Sequence, residues 1–452
     1  MVGGFILSNK VPSSFIVVIG FMLFALFFGA GNLIFPPMLG QSAGTNIWSA
    51  NAGFLVTGVG LPLLGVLALG FSGKDDLQSL ASRVHPVFGI VFTTVLYLAI
   101  GPLFAMPRTG NVSFEIGVKP FLPEDPGPLP LLIFTIIFFT VSCLLSLNPA
   151  KIVEIVGKVL TPIKLTFIGI LVVVAFVNPI GDFQAPAEHY MVQPFFNGFR
   201  EGYLTMDTLA SFVFGIIIIN AIKEKGAKTK KQIMIVCGKA TAIAAVILAT
   251  IYTALSYMGA SSVGELGRLD NGGIILAKVS DYYFGAYGGL LLGLMITVAC
   301  ITTSVGLITS CSTYFHKLFP SLPYKTIAIS LSIFSAIIAN IGLTELIAIS
   351  VPVMTAIYPL AIVLIFLTFL HSLFKGRPEV YQGSLLLTFI VSLFDGLNGA
   401  GVHITFINDF FTAILPMYEA GLGWIVPAIV GGFIGYASSV LKSKFGHDHQ
   451  ID

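Results

Sequence analysis

Asn32 ends the stretch Phe27-Phe28-Gly29-Ala30-Gly31-Asn32 and precedes Leu33-Ile34-Phe35-Pro36-Pro37, in an apolar run from Phe15 to Leu39. About 20 apolar residues in succession predict one unbroken membrane helix, because lipid offers no partner to a free backbone N–H or C=O. Two glycines around an alanine, then an amide and a proline pair, are poor helix material. Backbone opens at membrane depth only where it lines a protected cavity. A half-helix restarting near Gly31 would turn free N–H groups and a positive dipole end toward a carboxylate. The half-helix ending near Ala25–Phe28 would turn free carbonyls toward a cation or an ammonium group, with Asn32 adding an amide oxygen. Close helix packing by small residues accounts for the glycines alone, but not for Asn32 or the prolines. Ions and small polar solutes fit such a break, and it points to transport.

A second group of oxygens lies in Ala299-Cys300-Ile301-Thr302-Thr303-Ser304. Consecutive helical positions are about 100° apart, so three hydroxyls cannot all face one neighbour. Thr302 and Thr303 can share a side with the Ala299 carbonyl. Joined to carbonyls of the first helix, they form an all-oxygen site that suits a hard cation, Na⁺ by size and charge. The structural alternative is that these hydroxyls bond their own preceding turn.

Two further features belong to this chemistry. The sixth apolar segment is interrupted within Asp207-Thr208-Leu209-Ala210-Ser211-Phe212-Val213-Phe214-Gly215. Arg108 lies inside the third segment, where a charge is costly and usually paired. Its candidate partners are Glu115 and Asp207, in either a gating or substrate-orienting pair or a structural ion pair between helices three and six. Phe27, Phe28, Phe212, Val213 and Phe214 flank the two breaks and offer walls for an aliphatic group.

The elements that must position these residues are membrane helices. Of 452 residues, 56% are hydrophobic and only 10% charged, against about 25% in soluble proteins. The chain reads as one all-α polytopic domain over 1–452. Its twelve candidate helices lie at about 15–39, 48–71, 87–114, 129–147, 153–178, 202–222, 233–259, 285–315, 324–341, 345–371, 382–400 and 421–441. The eleventh is read as ending early, at Asp395-Gly396-Leu397-Asn398-Gly399. The first apolar run is too long for a signal-peptide core.

Of the 23 Lys and Arg residues, only Lys119, Arg200, Arg268 and Lys278 fall on one side of these helices, and Arg108 lies within a span. The rest fall on the other side, which predicts cytoplasmic N- and C-termini. The lysines between Lys223 and Lys231 read as a short cytoplasmic loop obeying that rule. Helices one and six head two blocks of five, about 15–178 and 202–371, each with a break near mid-membrane. Five is odd, so the second block enters from the opposite side. That is an inverted repeat, with the helices at about 382–441 outside it.

Cys143, Cys237, Cys300 and Cys311 read as small buried hydrophobes. An enzyme would need clustered acids or histidines. Glu115, Asp207, Glu345 and Asp395 sit on separate helices, and His316, His371 and His403 lie at helix ends or in loops. No nucleotide loop, metal-helix motif or nucleophile elbow appears, so neither an enzymatic cofactor nor a nucleic-acid partner is expected.

The segments FALFFGAGNLIFPPMLGQ, GPLFAMPRTGNVSFE, GYLTMDTLASFVFG and ACITTSVGLIT together resemble the bacterial branched-chain amino acid:cation symporters, over essentially the whole chain. More distantly, GAGNLIFPP is similar to the GLGNxxRFP break of the neurotransmitter:sodium symporters, which share the five-plus-five inverted-repeat fold of the bacterial leucine transporter. The resemblance implies Na⁺- or H⁺-driven uptake of leucine, isoleucine and valine across the bacterial cell membrane. The same fold with H⁺ and another neutral amino acid is the alternative. By this resemblance the Ala25, Phe28 and Ala299 carbonyls with Thr302 and Thr303 match a sodium site, and Asn32 a ligand of a second one. The Ala30 and Gly31 N–H groups match substrate-carboxylate contacts beside Phe27 and Gly29. Ser211, Phe212, Val213 and Phe214 match the unwound part of helix six, which receives the ammonium and side chain. Leu33-Ile34-Phe35-Pro36 replaces the relatives' gating arginine, so the outer gate must be built differently.

Overall fold

The computed structural model describes residues 12–74, 76–123, 126–147, 161–224, 226–227 and 229–445. All regular elements among them are helical. Span one comprises α1 (Ser13–Phe27) and α2 (Ala30–Ala43), interrupted at Phe28–Gly29. Gly44, at φ +49°, turns the chain into span two, α3 (Ile47–Leu55) and α4 (Leu61–Ser72), joined by the π-helical turn Val56–Gly60. After α5 (Leu77–Ala81), span three runs through α6 (Pro86–Leu98), a π-helical turn at Ala99–Leu103, and α7 (Ala105–Gly117). Span four is α8 (Leu129–Ser146). The described part of span five is α9 (Thr161–Val177); its expected start near 153 lies outside the described residues.

The short α10 (Glu188–Met191) leads to α11 (Pro194–Glu201), a tight turn at Gly202–Thr205, and α12 (Asp207–Glu224). The pair Pro194–Thr205 and Asp207–Glu224 is bent by 46° and together forms span six. The later spans fall in α13 (Lys230–Leu266), α14 (Gly272–Leu318), α15 (Tyr324–Ala339), α16 (Leu343–Phe369), α17 (Pro378–Gly399) and α19 (Ile425–Phe445), with a short α18 (Thr405–Ile414) before the last. Gly285, at φ +62°, kinks α14 where the eighth span was expected to begin.

Among the described residues, eight helical stretches are long and apolar enough to cross a membrane, nine with the bent pair; one of them, Ala30–Ser72, holds both α2 and span two. Ser13–Phe27, Ile168–Val177 and Tyr324–Ala339 are shorter apolar helices. Ile133, Ile136, Ile137 and Leu144 leave one face of α8 apolar and exposed, as lipid requires. Inside the bundle, helices approach through small residues. A Cβ on Gly40 would stand 2.0 Å from the Ser256 carbonyl oxygen, and one on Gly259 2.2 Å from that of Pro37, so α2 and α13 touch backbone to backbone.

Four local expectations are corrected. Pro36 and Pro37, read as poor helix material, both lie within α2, which continues to Ala43. A proline removes one N–H and crowds the preceding turn, and the Pro37 backbone packs directly on Gly259 of α13. Span three is not continuous: Gly101 (φ −96°, ψ −121°) and Pro102 interrupt it seven and six residues before Arg108. Span six opens earlier than expected, at Met206 (φ +64°), while Ser211–Phe214 are ordinary helix inside α12. The Ser211 hydroxyl donates to the Thr208 carbonyl, which is how a helical serine satisfies itself. Span eleven does not stop short either, since α17 stays helical through Asp395-Gly396-Leu397-Asn398.

Candidate functional site

The break in span one at Phe28–Gly29 meets the break in span six at Met206. Gly29 is extended (φ −114°, ψ −159°) and its N–H donates to Asn32 Oδ1 at 3.0 Å. Asn32 thereby caps the start of α2 from its own first turn. Its Nδ2 donates to Asp207 Oδ2 at 2.5 Å and also to the Tyr252 hydroxyl. The Tyr252 hydroxyl in turn donates to Asp207 Oδ2 at 3.1 Å. Asp207 opens α12 directly after the strained Met206, so this buried triangle joins the broken backbones of spans one and six to α13.

The interruption of span three positions Arg108 in the first turns of α7, 1% exposed. Neither expected partner holds it. Glu115 pairs instead with Lys119 one turn on, at 2.9 Å, and Asp207 is bonded to Asn32 and Tyr252. Arg108 Nη1 donates to the Leu204 carbonyl at 2.6 Å, within the turn before Met206, and Nη2 reaches the Ser350 hydroxyl at 3.3 Å. The guanidinium lies over the Phe35 ring, 4.9 Å from its centroid.

A cavity of ≈ 40 Å³ lies between these groups. Its walls take Phe27, Gly29, Ala30, Gly31 and Asn32 from span one, Arg108 from α7, Asp207 and Phe214 from span six, and Thr303 from α14. Phe27 and Phe214 meet edge to face across it at 5.8 Å. Thr303 abuts the break: a Cβ on Gly29 would stand 3.1 Å from its methyl and 3.3 Å from its hydroxyl oxygen. Thr302 and Thr303 both donate to the Ala299 carbonyl, at 2.7 and 3.2 Å. Both hydroxyls bond their own preceding turn, and Thr303 also faces the break. At the end of α1, the Phe24 and Phe27 carbonyls accept from Phe28 and Gly29 at 2.8 and 2.7 Å, and Ala25 falls between them.

Ser211, Phe212 and Val213 do not line the cavity. Ser211 faces span two, its hydroxyl oxygen 1.9 Å from where a Cβ on Gly65 would stand. Phe212 is fully buried elsewhere in the core. The residues that replace them are Thr205, Met206 and Ala210, together with Ile100 and Ala105 from span three. Gly101-Pro102, inside an apolar run, was the signal for the latter pair.

A family model described as "Branched-chain amino acid transport protein" matches residues 13–442. The chain is 70% identical over 438 residues to the branched-chain amino acid permease BrnQ of Bacillus subtilis (strain 168), covering 97% of this chain and 100% of that one. It is 53% identical to the permease BraB of the same organism, over 99% of both chains. Its fold is similar to that of Mhp1, a nucleobase-cation-symport-1 family transporter solved in a closed conformation, with TM-score 0.62 and 11% identity, covering 95% of this chain and 93% of that one. The chain is therefore a multi-pass membrane transporter, not an enzyme, and it belongs to the branched-chain amino acid transport protein family.

Proposed function

We propose that the protein is a secondary symporter that imports leucine, isoleucine and valine on a Na⁺ or H⁺ gradient, by alternating access around the cavity where the breaks meet. The observation that carries this reading is the composition of that cavity. It holds one buried guanidinium, Arg108, and one buried carboxyl, Asp207, among apolar walls that include Phe27 and Phe214. That is the complement of a zwitterion with an aliphatic side chain. The names of BrnQ and BraB support the substrate class.

In this reading Phe27, Gly29, Ala30, Gly31 and Phe214 receive the amino acid. A cation held by the Ala25, Phe28 and Ala299 carbonyls with Thr302 and Thr303 joins span one to span eight, and Asn32 belongs to a second ion site. At ≈ 40 Å³ the cavity is far smaller than a ligand pocket of about 300–1,000 Å³, so the substrate enters only when Phe27 and Phe214 separate. The repeats at about 15–178 and 202–371 rock against each other to do so, in the bacterial cell membrane with both termini cytoplasmic.

The test is uptake of radiolabelled leucine into proteoliposomes under imposed Na⁺ or H⁺ gradients, repeated with Thr302→Ala. Uptake indifferent to both gradients would overturn the coupling. The buried Asp207 carboxyl favours a second reading, H⁺ coupling with another neutral amino acid. Competition by unlabelled alanine or serine separates the two.

A further inference from the structure

A guanidinium withdrawn from water is costly unless an anion or a full set of acceptors meets it. Arg108 is 1% exposed, yet no acid forms an ion pair with it among the described residues. Of its five N–H donors, one is taken by the Leu204 carbonyl and one reaches the Ser350 hydroxyl. Its Nε is buried with no hydrogen-bond partner. The guanidinium lies over the Phe35 ring, and the Leu204 carbonyl and Ser350 hydroxyl engage two of its nitrogens.

The start of α2 lies beside it. A Cβ on Gly31 would stand 3.2 Å from Arg108 Nη1, so the glycine backbone and the guanidinium lie side by side. The first N–H groups of a helix have no partner within it and carry the positive end of its dipole. Two positive features, one a side chain with donors to spare, converge on one cavity. Asp207 lines the same cavity, but Asn32 and Tyr252 engage it and it does not neutralise Arg108 by contact.

We propose that Arg108, with the N–H groups of Ala30 and Gly31, clamps the substrate carboxylate and makes the site demand an amino acid rather than the corresponding amide or alcohol. This rests on the symporter reading above and goes beyond it by naming the group that reads the carboxylate. Planar guanidinium suits that task, since it can offer two parallel N–H groups to two oxygens.

The experiment is ligand-dependent thermal stabilisation of the purified full-length protein, titrated with leucine, leucinamide and leucinol. The wild type is expected to bind leucine on the order of 10–100-fold more tightly than leucinamide, the weight of a charge-assisted hydrogen bond. In Arg108→Gln the ratio should collapse toward one, through loss of leucine affinity with leucinamide little changed. Arg108→Lys, which keeps the charge and is the better-folding control, should fall between them. Equal binding of leucine and leucinamide by the wild type overturns the clamp without needing a variant, and so does a wild-type ratio in either mutant. A wild type that binds no branched-chain amino acid overturns the symporter reading itself, and the clamp with it.

Discussion

Asn32 donates to Asp207 at 2.5 Å and so ties the break in span one to the break in span six. Each residue sits where its own helix has just restarted: Asn32 in the first turn of α2, Asp207 at the head of α12. A bond between an amide and a buried carboxyl is stronger than one made in water. Movement at either break is therefore felt at the other, which is what coordinated opening of the two half-helices requires.

Tyr252 is the third member of that triangle, and its hydroxyl is the separable part. Tyr252→Phe keeps the ring against Phe54 and removes one donor to Asp207 while the Asn32 bond stays. The expected loss is about 1–2 kcal/mol in stability, with slower uptake of leucine. Asp207→Asn should be more severe, abolishing uptake. The checks are thermal unfolding in detergent and proteoliposome transport, side by side. Unchanged values for Tyr252→Phe would mean the hydroxyl is idle.

Gly29 and Thr303 form a steric pair. A methyl at Gly29 would press on the Thr303 methyl at 3.1 Å, tighter than ordinary van der Waals contact. Gly29→Ala should cut cation-driven uptake several-fold, and Gly29→Val should abolish it. Thr303→Ser removes the opposing methyl and keeps the hydroxyl. Adding Thr303→Ser to Gly29→Ala should therefore recover much of the lost activity. Failure of that rescue would show that the Gly29 requirement lies in the backbone.

Packing of α2 on α13 predicts an effect on stability away from the cavity. The Pro37 carbonyl occupies the space a side chain at Gly259 would need, and backbone cannot step aside as a flexible side chain can. Gly259→Ala should cost about 1–3 kcal/mol through overpacking. The melting temperature of the purified variant measures it. An unshifted value would mean that the two helices separate readily.

Asp76, in the loop between spans two and three, accepts from the Lys317 ammonium at 2.5 Å and from the Ser79 N–H at 2.7 Å. Burial alone would raise its pKa, but these bonds outweigh it and hold the carboxyl below its ordinary value of 3.8. A carboxyl lowered in this way stabilises the fold above its unfolded value and loses that contribution as pH falls through the folded one. Stability of the wild type should therefore drop between about pH 5 and 3, and Asp76→Asn should flatten that limb. Lys317 is mostly exposed, so high salt should shrink the difference. A wild type and Asp76→Asn that melt in parallel across this range would remove the pair from the acid response.

Sequence alone determined that the chain is a membrane bundle and that span one opens near Gly29. These are local properties: apolar runs of membrane length, and residues whose backbones do not hold a helix in lipid. Tertiary structure decided the rest. Only packing shows that Arg108 bonds Leu204 and not Glu115 or Asp207, because partners are chosen by distance between helices that sequence order does not record. Only packing turns Ser211 toward Gly65 and brings Thr205 and Met206 to the cavity in place of Phe212 and Val213. The break in span six fell at Met206, five residues before Ser211, because α12 begins where Asp207 meets Asn32 and Tyr252. Where a helix will not hold is written in its residues; which neighbour takes the opened backbone depends on the other helices around it.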